Sequence, residues 1–208
     1  MKPYAVAAAL AAVLFPVTAT AQDGPWMVRA RGVYIYTADK SDAIPSLRVP
    51  DDAITVSRKL IPEVDITRFL GKNLAAELIL TYPQQHDVEL SGTKIGTFKH
   101  LPPVLSLQYH FAPEAQVRPY VGVGANLTLI SSVKLNVPGV GALDLEDSSI
   151  GASGQAGVDV KLGPKVFLNA DVKYVALSSD VLLKATGTKV SSVTLNPWLI
   201  GVGIGYRF

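Results

Sequence analysis

Cysteine is absent from this chain of 208 residues, which excludes disulfide bonds and thiol chemistry. The two signs of charge nearly balance, with 19 lysine and arginine residues against 17 aspartate and glutamate residues. We therefore expect no nucleic-acid partner, since such partners require a concentrated basic surface. The three histidines are too widely separated to predict a common metal site: His86 and His100 flank one connection, and His110 lies beyond it. We expect them to be surface or lumen side chains.

The first residues have the pattern of an export signal. Lys2 gives a basic start, residues 5–17 form a short apolar run, and Ala19-Thr20-Ala21 is a small-residue cleavage site. We predict that residues 1–21 are a signal peptide and that residues 22–208 form one domain. The alternative, an N-terminal membrane anchor, is disfavoured because the run is too short to span a bilayer.

Long hydrophobic runs are also missing, although the composition is that of a membrane protein. The chain is 49% hydrophobic and 17% charged, yet after residue 21 no run approaches the ~18 apolar residues of a transmembrane helix. A chain that spans a membrane without helices has one alternative, the closed β-barrel, because every backbone polar group must be paired inside the bilayer.

Eight segments of about ten residues alternate between apolar and polar side chains, which is typical of barrel strands. The connections between them alternate between short turns and long loops, as in outer-membrane barrels with short periplasmic turns and long extracellular loops. We therefore predict an all-β fold, an eight-stranded antiparallel transmembrane barrel. The strands are predicted at 26–36, 60–67, 74–82, 105–111, 118–129, 150–162, 166–176 and 198–208.

A soluble barrel would show the same alternation, but with the apolar face inside. That reading would place Trp198, Tyr206, Phe208 and about thirty other apolar groups in a lumen only wide enough for side chains or one small ligand. With the polar face inside, the glycines on that face relieve crowding instead. The membrane barrel is therefore the better interpretation, with outer-membrane lipid around it.

Several stretches resemble the OmpW family of small outer-membrane barrels: HLPPVL, RPYVGVGANLT, GASGQAGVDV and NPWLIGVGIGYRF, with a terminal phenylalanine. The resemblance covers essentially the whole chain after residue 21 and is most specific from His100 onward. It implies a barrel of the Gram-negative outer membrane that helps small hydrophobic molecules to cross. It also implies that Tyr206 and Phe208 belong to the C-terminal signal that the barrel-assembly machinery reads.

Inward-facing charges are concentrated in the half of the lumen that faces the periplasm. Six are basic and five acidic, and in a narrow lumen we expect them to pair into a network that blocks the axis. This predicted charged plug comprises Arg29, Arg31, Glu63, Asp65, Glu77, Arg118, Asp159, Lys161, Asp171, Lys173 and Arg207.

The extracellular half of the lumen is predicted to be apolar. The same alternation points Val33, Ile35, Ile79, Val104, Val175, Leu177 and Leu199 inward there. A hydrophobic solute in this pocket would meet the charged floor, and dehydrating that network would cost several kcal/mol. We expect such a solute to leave sideways into the bilayer.

Two adjacent prolines offer a place for that exit. Proline has no N–H for a sheet ladder, so Pro102 and Pro103 should leave a gap in the wall level with the pocket. We predict a lateral portal at His100, Leu101, Pro102 and Pro103. The alternative is that the prolines only end the preceding loop and reduce its backbone pairing with neighbouring strands.

Two functions of different class remain from the sequence. One is a passive conduit for hydrophobic molecules. The other is a non-transporting structural or adhesive barrel whose long loops bind a host, phage or bacteriocin partner. The apolar pocket favours the conduit. We expect no cofactor and no enzyme activity, because no Ser-His-Asp set falls together in this register. The loop at 130–147 is compatible with a short helix or a cap.

Overall fold

The computed structural model describes residues 24–37, 40–43, 50–137 and 141–208, so the predicted signal peptide lies outside the described residues. Regular structure in this part of the chain is entirely β. Its strands are β1 Trp26–Tyr36, β2 Lys40–Ser41, β3 Ile54–Val56, β4 Lys59–Phe69, β5 Leu74–Leu80, β6 Gln84–Leu90, β7 Thr93–Leu101, β8 Val104–His110, β9 Val117–Val137, β10 Gly141–Leu145, β11 Ser148–Lys161, β12 Val166–Val175, β13 Ser178–Leu183, β14 Lys189–Thr194 and β15 Trp198–Arg207.

Within the described residues, no helix has the length and apolar character needed to cross a membrane.

Eight of these strands close into a barrel. They pair antiparallel in the order β1, β4, β5, β8, β9, β11, β12 and β15, and β15 returns to β1. Each of the eight predicted segments is one of these strands, so the predicted fold class is confirmed. The largest difference in bounds is at β9, which continues to Val137 instead of ending near residue 129.

Alternate residues of each barrel strand face the lumen and the lipid. In β1 the odd positions are buried and the even positions are half-buried or exposed, as period-two geometry requires. Aromatic side chains lie at both ends of the outer surface, where amphipathic rings are stable at a membrane interface. One belt holds Tyr34, Tyr36, Tyr82, Tyr174 and Trp198, and the other holds Trp26, Tyr109, Phe111, Tyr206 and Phe208.

The long connections differ from the irregular loops that the sequence predicts. They continue the wall outward as strands, which pair in the order β3, β6, β7, outer β9, β10, β13, β14 and β2. We call these strands, with residues 130–137 of β9, the extracellular extension. The connection at 130–147 is part of it, and its described residues form a β9–β10 hairpin instead of a helix.

The extracellular extension has an apolar interior of its own. β3 and β2 are the two ends of this strand order, and they approach each other. Asp52 N donates to Ser41 O at 2.9 Å, and Ile54 N donates to Ser41 Oγ at 3.3 Å. Alternation within the hairpins turns one apolar face inward. The buried cluster contains Ile54, Val56, Val88, Phe98, Ile130, Leu135, Val137, Leu143, Leu145, Val181 and Val193.

Candidate functional site

The lower half of the lumen is filled by charged side chains around two arginines of β1. Arg29 is fully buried and binds Asp159 through two nitrogens, with Nη2 at 2.6 Å and Nε at 3.1 Å from the carboxylate oxygens. Its Nη1 donates to Glu77 Oε1 at 3.0 Å and to Thr67 Oγ1 at 2.7 Å. One arginine therefore joins strands β4, β5 and β11 across the lumen.

Arg31 makes a second centre two residues above. Its guanidinium lies 2.9 Å from Glu63, 2.7 Å from Asp65 and 3.5 Å from Asp171. Lys173 completes this group, with Nζ at 3.9 Å from both Glu63 and Asp171. All five predicted carboxylates thus lie within 4 Å of one of three buried cations.

The remaining three predicted members lie closer to the periplasmic end and contact aromatic rings. Arg118 lies over the Phe167 ring at 4.8 Å and donates to Ala115 O at 2.8 Å. Lys161 approaches the same ring at 6.0 Å, and Arg207 lies over Phe69 at 3.6 Å. The sequence predicts them in the same half of the lumen as the arginine centres, but alternation gives the face of a side chain and not its exact height in a tilted strand.

Uncharged side chains also belong to the network, and the predicted plug does not include them. Tyr120 is buried, and its hydroxyl donates to Asp171 Oδ2 at 3.0 Å and accepts from Asn169 at 3.1 Å. Its ring crosses Gly157, where a Cβ atom would clash with it. Tyr120 has the inward parity of β9, which was the available signal.

Above these charges, the lumen holds an apolar cavity that we call the lumen chamber. Six of the seven predicted pocket residues line it, and Val33 packs against Ile35 and Ile61. Glu63 and Lys173 of the charged plug form part of its lining. The six predicted residues that line the chamber are Ile35, Ile79, Val104, Val175, Leu177 and Leu199. Ile61, which was not predicted, is a further apolar wall residue.

A second apolar cavity, the extension chamber, lies inside the extracellular extension. The sequence predicts these connections to be loops and therefore gives no prediction of this chamber. The available signal was period-two alternation in VKLNV and GALDL, where Leu135, Val137, Leu143 and Leu145 share a face.

A histidine pair lies between the two chambers, a proximity that was not predicted from the sequence. The β6–β7 hairpin brings the rings of His86 and His100 to 4.8 Å, and both rings are near Phe98. Phe98 lines the extension chamber, and His100 lines the lumen chamber. His110 does face the lumen, far from this pair, with Nε2 at 3.2 Å from Gln108 Oε1. Among the described residues, no group of three or more histidine and carboxylate side chains could hold a metal ion.

The two prolines lie between β7 and β8, and the wall is different on their two sides. Toward β9, Leu101 pairs with Leu129, and Leu127 N donates to Pro103 O at 3.0 Å. Pro103 has no N–H to return a second bond. The β9 side therefore keeps one hydrogen bond at this level and is less open than the sequence analysis expected.

Toward β5 and β6 the ladder is interrupted. Pairing ends at Ile79 with Val104 and resumes at Gln84 with His100. Within the described stretch 50–137, no backbone hydrogen bond joins residues 81–83 to residues 101–103. On the opposite side, β4 and β5 stop pairing at Val64 and Leu80, and only the Thr81 hydroxyl reaches Pro62 O, at 3.0 Å. The segment 81–83 is thus weakly paired on both sides.

The C-terminal residues close the barrel at its periplasmic end. Phe208 N donates to Trp26 O at 2.8 Å, and Trp26 N donates to Phe208 O at 3.1 Å. Tyr206 and Phe208 project outward with ring centroids 6.1 Å apart. Their proposed part in assembly stays a prediction.

Comparison with known proteins agrees with this architecture. The family model described as the OmpW family matches residues 22–208. The chain belongs to the OmpW family. The uncharacterized outer-membrane protein y4mB of Sinorhizobium fredii is 37% identical over 219 residues, covering 99% of this chain and 92% of that protein. Outer membrane protein W of Vibrio cholerae is 31% identical and covers 90% of each chain.

A solved structure shows the same fold. The crystal structure of the outer membrane protein OprG from Pseudomonas aeruginosa superposes with a TM-score of 0.74 at 25% identity, covering 90% of this chain and 98% of that one. This OmpW-family chain is therefore an outer-membrane β-barrel, with lipid around its eight paired strands.

Proposed function

We propose that this barrel lets small hydrophobic molecules cross the outer membrane passively. A solute would enter the extension chamber, pass to the lumen chamber, and leave sideways into the bilayer through a portal at His100, Leu101, Pro102 and Pro103. The observation that carries this proposal is the position of the lumen chamber, an apolar cavity directly above a buried network of charges.

The energetics of the charged plug favour a lateral route. Arg29 and Arg31 bind their carboxylates at 2.6–3.5 Å with almost no solvent exposure. Separating such pairs to admit an apolar molecule would leave buried charges without partners, which costs several kcal/mol. The wall at residues 81–83 lacks backbone pairing to residues 101–103, so opening it breaks fewer hydrogen bonds.

Entry of solutes of graded hydrophobicity into cells with and without the protein tests the conduit. We expect faster entry only for the hydrophobic members, with a polar solute of equal size as the control. Equal entry with and without the protein would overturn the conduit and favour the structural or adhesive alternative.

The double substitution Pro102→Val and Pro103→Val tests the portal. Valine supplies the missing N–H groups, so the wall should pair more completely and uptake of hydrophobic solutes should fall several-fold. Pro119→Val is the matched control, because Pro119 is an exposed proline near the other end of β9. Unchanged uptake of hydrophobic solutes by cells with a folded double variant would contradict the portal.

A further inference from the structure

Three buried polar atoms without partners lie together at the seam between the two chambers. Gln84 Oε1, His86 Nε2 and His100 Nδ1 have no hydrogen-bond partner among the residues that the structure describes. Gln84 is opposite His100 in the β6–β7 pair, and His86 follows two residues later on the same face. Gln84 and His86 are 0% and 1% exposed. Buried polar groups in folded proteins nearly always bind a partner, so this group requires one.

The chemistry of the three atoms is defined by their other contacts. Gln84 Nε2 donates to Tyr82 O at 3.0 Å, which leaves Oε1 as an acceptor. His86 Nδ1 lies 2.9 Å from Ser57 O, so that nitrogen carries the hydrogen and Nε2 is an acceptor in the neutral ring. His100 Nδ1 can donate or accept.

Burial lowers the pKa of His86 and favours its neutral ring. His100 packs against His86 in the same buried site, which likewise favours the neutral form of its ring. A neutral pair offers hydrogen bonds without the repulsion of two close positive charges. The site therefore suits an uncharged polar group that both donates and accepts.

We infer that Gln84, His86 and His100 form a subsite for the hydroxyl end of an aliphatic amphiphile. The hydroxyl donates to Gln84 Oε1 or His86 Nε2 and accepts from His100 Nδ1, while the alkyl tail lies in an adjoining chamber. Phe98, which stacks near both histidines and lines the extension chamber, continues the apolar surface from this subsite. This inference rests on the proposed function, since it names a class of solute for the same conduit.

Imidazole nitrogen signals give a direct binding test, because the chain has three histidines. The full-length barrel, labelled with nitrogen-15 at histidine and held in lipid nanodiscs, is titrated with 1-octanol and, separately, with octane. We expect the signals of His86 and His100 to shift with 1-octanol and not with octane. The signal of His110 should stay in place, because it lies in the lower lumen. No shift with 1-octanol, or equal shifts with octane, would overturn the subsite.

Substitutions separate the subsite from a general effect of the alcohol. His86→Phe should weaken 1-octanol binding several-fold, read from the His100 signal, and Gln84→Leu should do the same if the first variant does not fold. His110→Phe is the matched control and should leave the response unchanged. Unaltered binding in both subsite variants would contradict the inference.

The two proposals can fail separately. Shifts of the His86 and His100 signals without faster uptake of any hydrophobic solute would support the subsite and overturn the conduit. Faster uptake of hydrophobic solutes without such shifts would support the conduit and overturn the subsite.

Discussion

At the scale of single residues, the lumen depends on arginines that each satisfy several carboxylates. Arg29 alone contacts Glu77, Asp159 and Thr67 in a site with no solvent exposure. A buried guanidinium is stable only when its charge and its N–H groups have partners, and the planar fork of arginine fits carboxylates on several strands. Gly157 supports the same layer by leaving room for the Tyr120 ring.

Arg29→Met should therefore destabilise the barrel strongly. Methionine fills a similar volume but leaves the carboxylates of Glu77 and Asp159 buried without their cation, a loss of about 3–5 kcal/mol. The free energy of unfolding, measured by urea titration of protein reconstituted in lipid vesicles, gives the value.

Lys72→Met provides the control for that experiment. Lys72 and Glu114 form an ion pair of 3.0 Å, but both side chains are more than three-quarters exposed. Exposed pairs contribute about 0–1 kcal/mol. A loss for Arg29→Met as small as that for Lys72→Met would contradict a stabilising role for the plug.

At the scale of elements, β9 links the barrel to the extracellular extension. Its first half pairs with β8 and β11, and its outer half pairs with β7 and β10. The two halves of β9 bury opposite faces of the strand. The first half faces the charged and polar lumen below, and the outer half faces the apolar extension chamber above. The extension should therefore respond to mutation separately from the barrel.

Leu135→Asp tests that separation. Leu135 is buried in the extension, so a carboxylate there should loosen β10 and β13 while β12 and β15 stay paired. Amide hydrogen exchange should become faster in the first two strands and stay slow in the other two. Lys134→Asp, at an exposed neighbouring position, should change neither. Faster exchange throughout the barrel would show that extension and barrel form one cooperative unit.

At the scale of the whole molecule, apolar cavities lie above a charged layer inside one continuous wall. The alternation of the strands makes the outside apolar along the barrel, while the inside changes character with height. A solute can remain in apolar surroundings from the extension chamber to the bilayer only if it does not continue down the axis.

The protein should accordingly exclude polar solutes. Liposomes that contain it should swell in small sugars no faster than protein-free liposomes, because the ion pairs of Arg29 and Arg31 occupy the lower lumen. Light scattering after osmotic shock measures the rate, and an open porin serves as the positive control. Sugar-driven swelling near the porin rate would mean that the plug does not close the axis.

The sequence alone determined the eight barrel strands and their faces. Period-two alternation is a local property, so Arg29 and Arg31 could be assigned to the lumen and Trp198 to the lipid without knowing any partner strand. The absence of a long apolar run then left a closed barrel as the one membrane architecture, and the balance of inward charges predicted pairing.

Tertiary structure decided what depends on register between strands that are distant in the chain. It placed His86 against His100, and it placed Arg118 and Arg207 over aromatic rings. It also joined the proline segment to β9 through the Leu127 hydrogen bond and folded the long connections around a second chamber. Alternation defines the side of the wall on which a residue lies. Its height and neighbours follow from strand tilt and stagger, which are collective properties of the closed barrel.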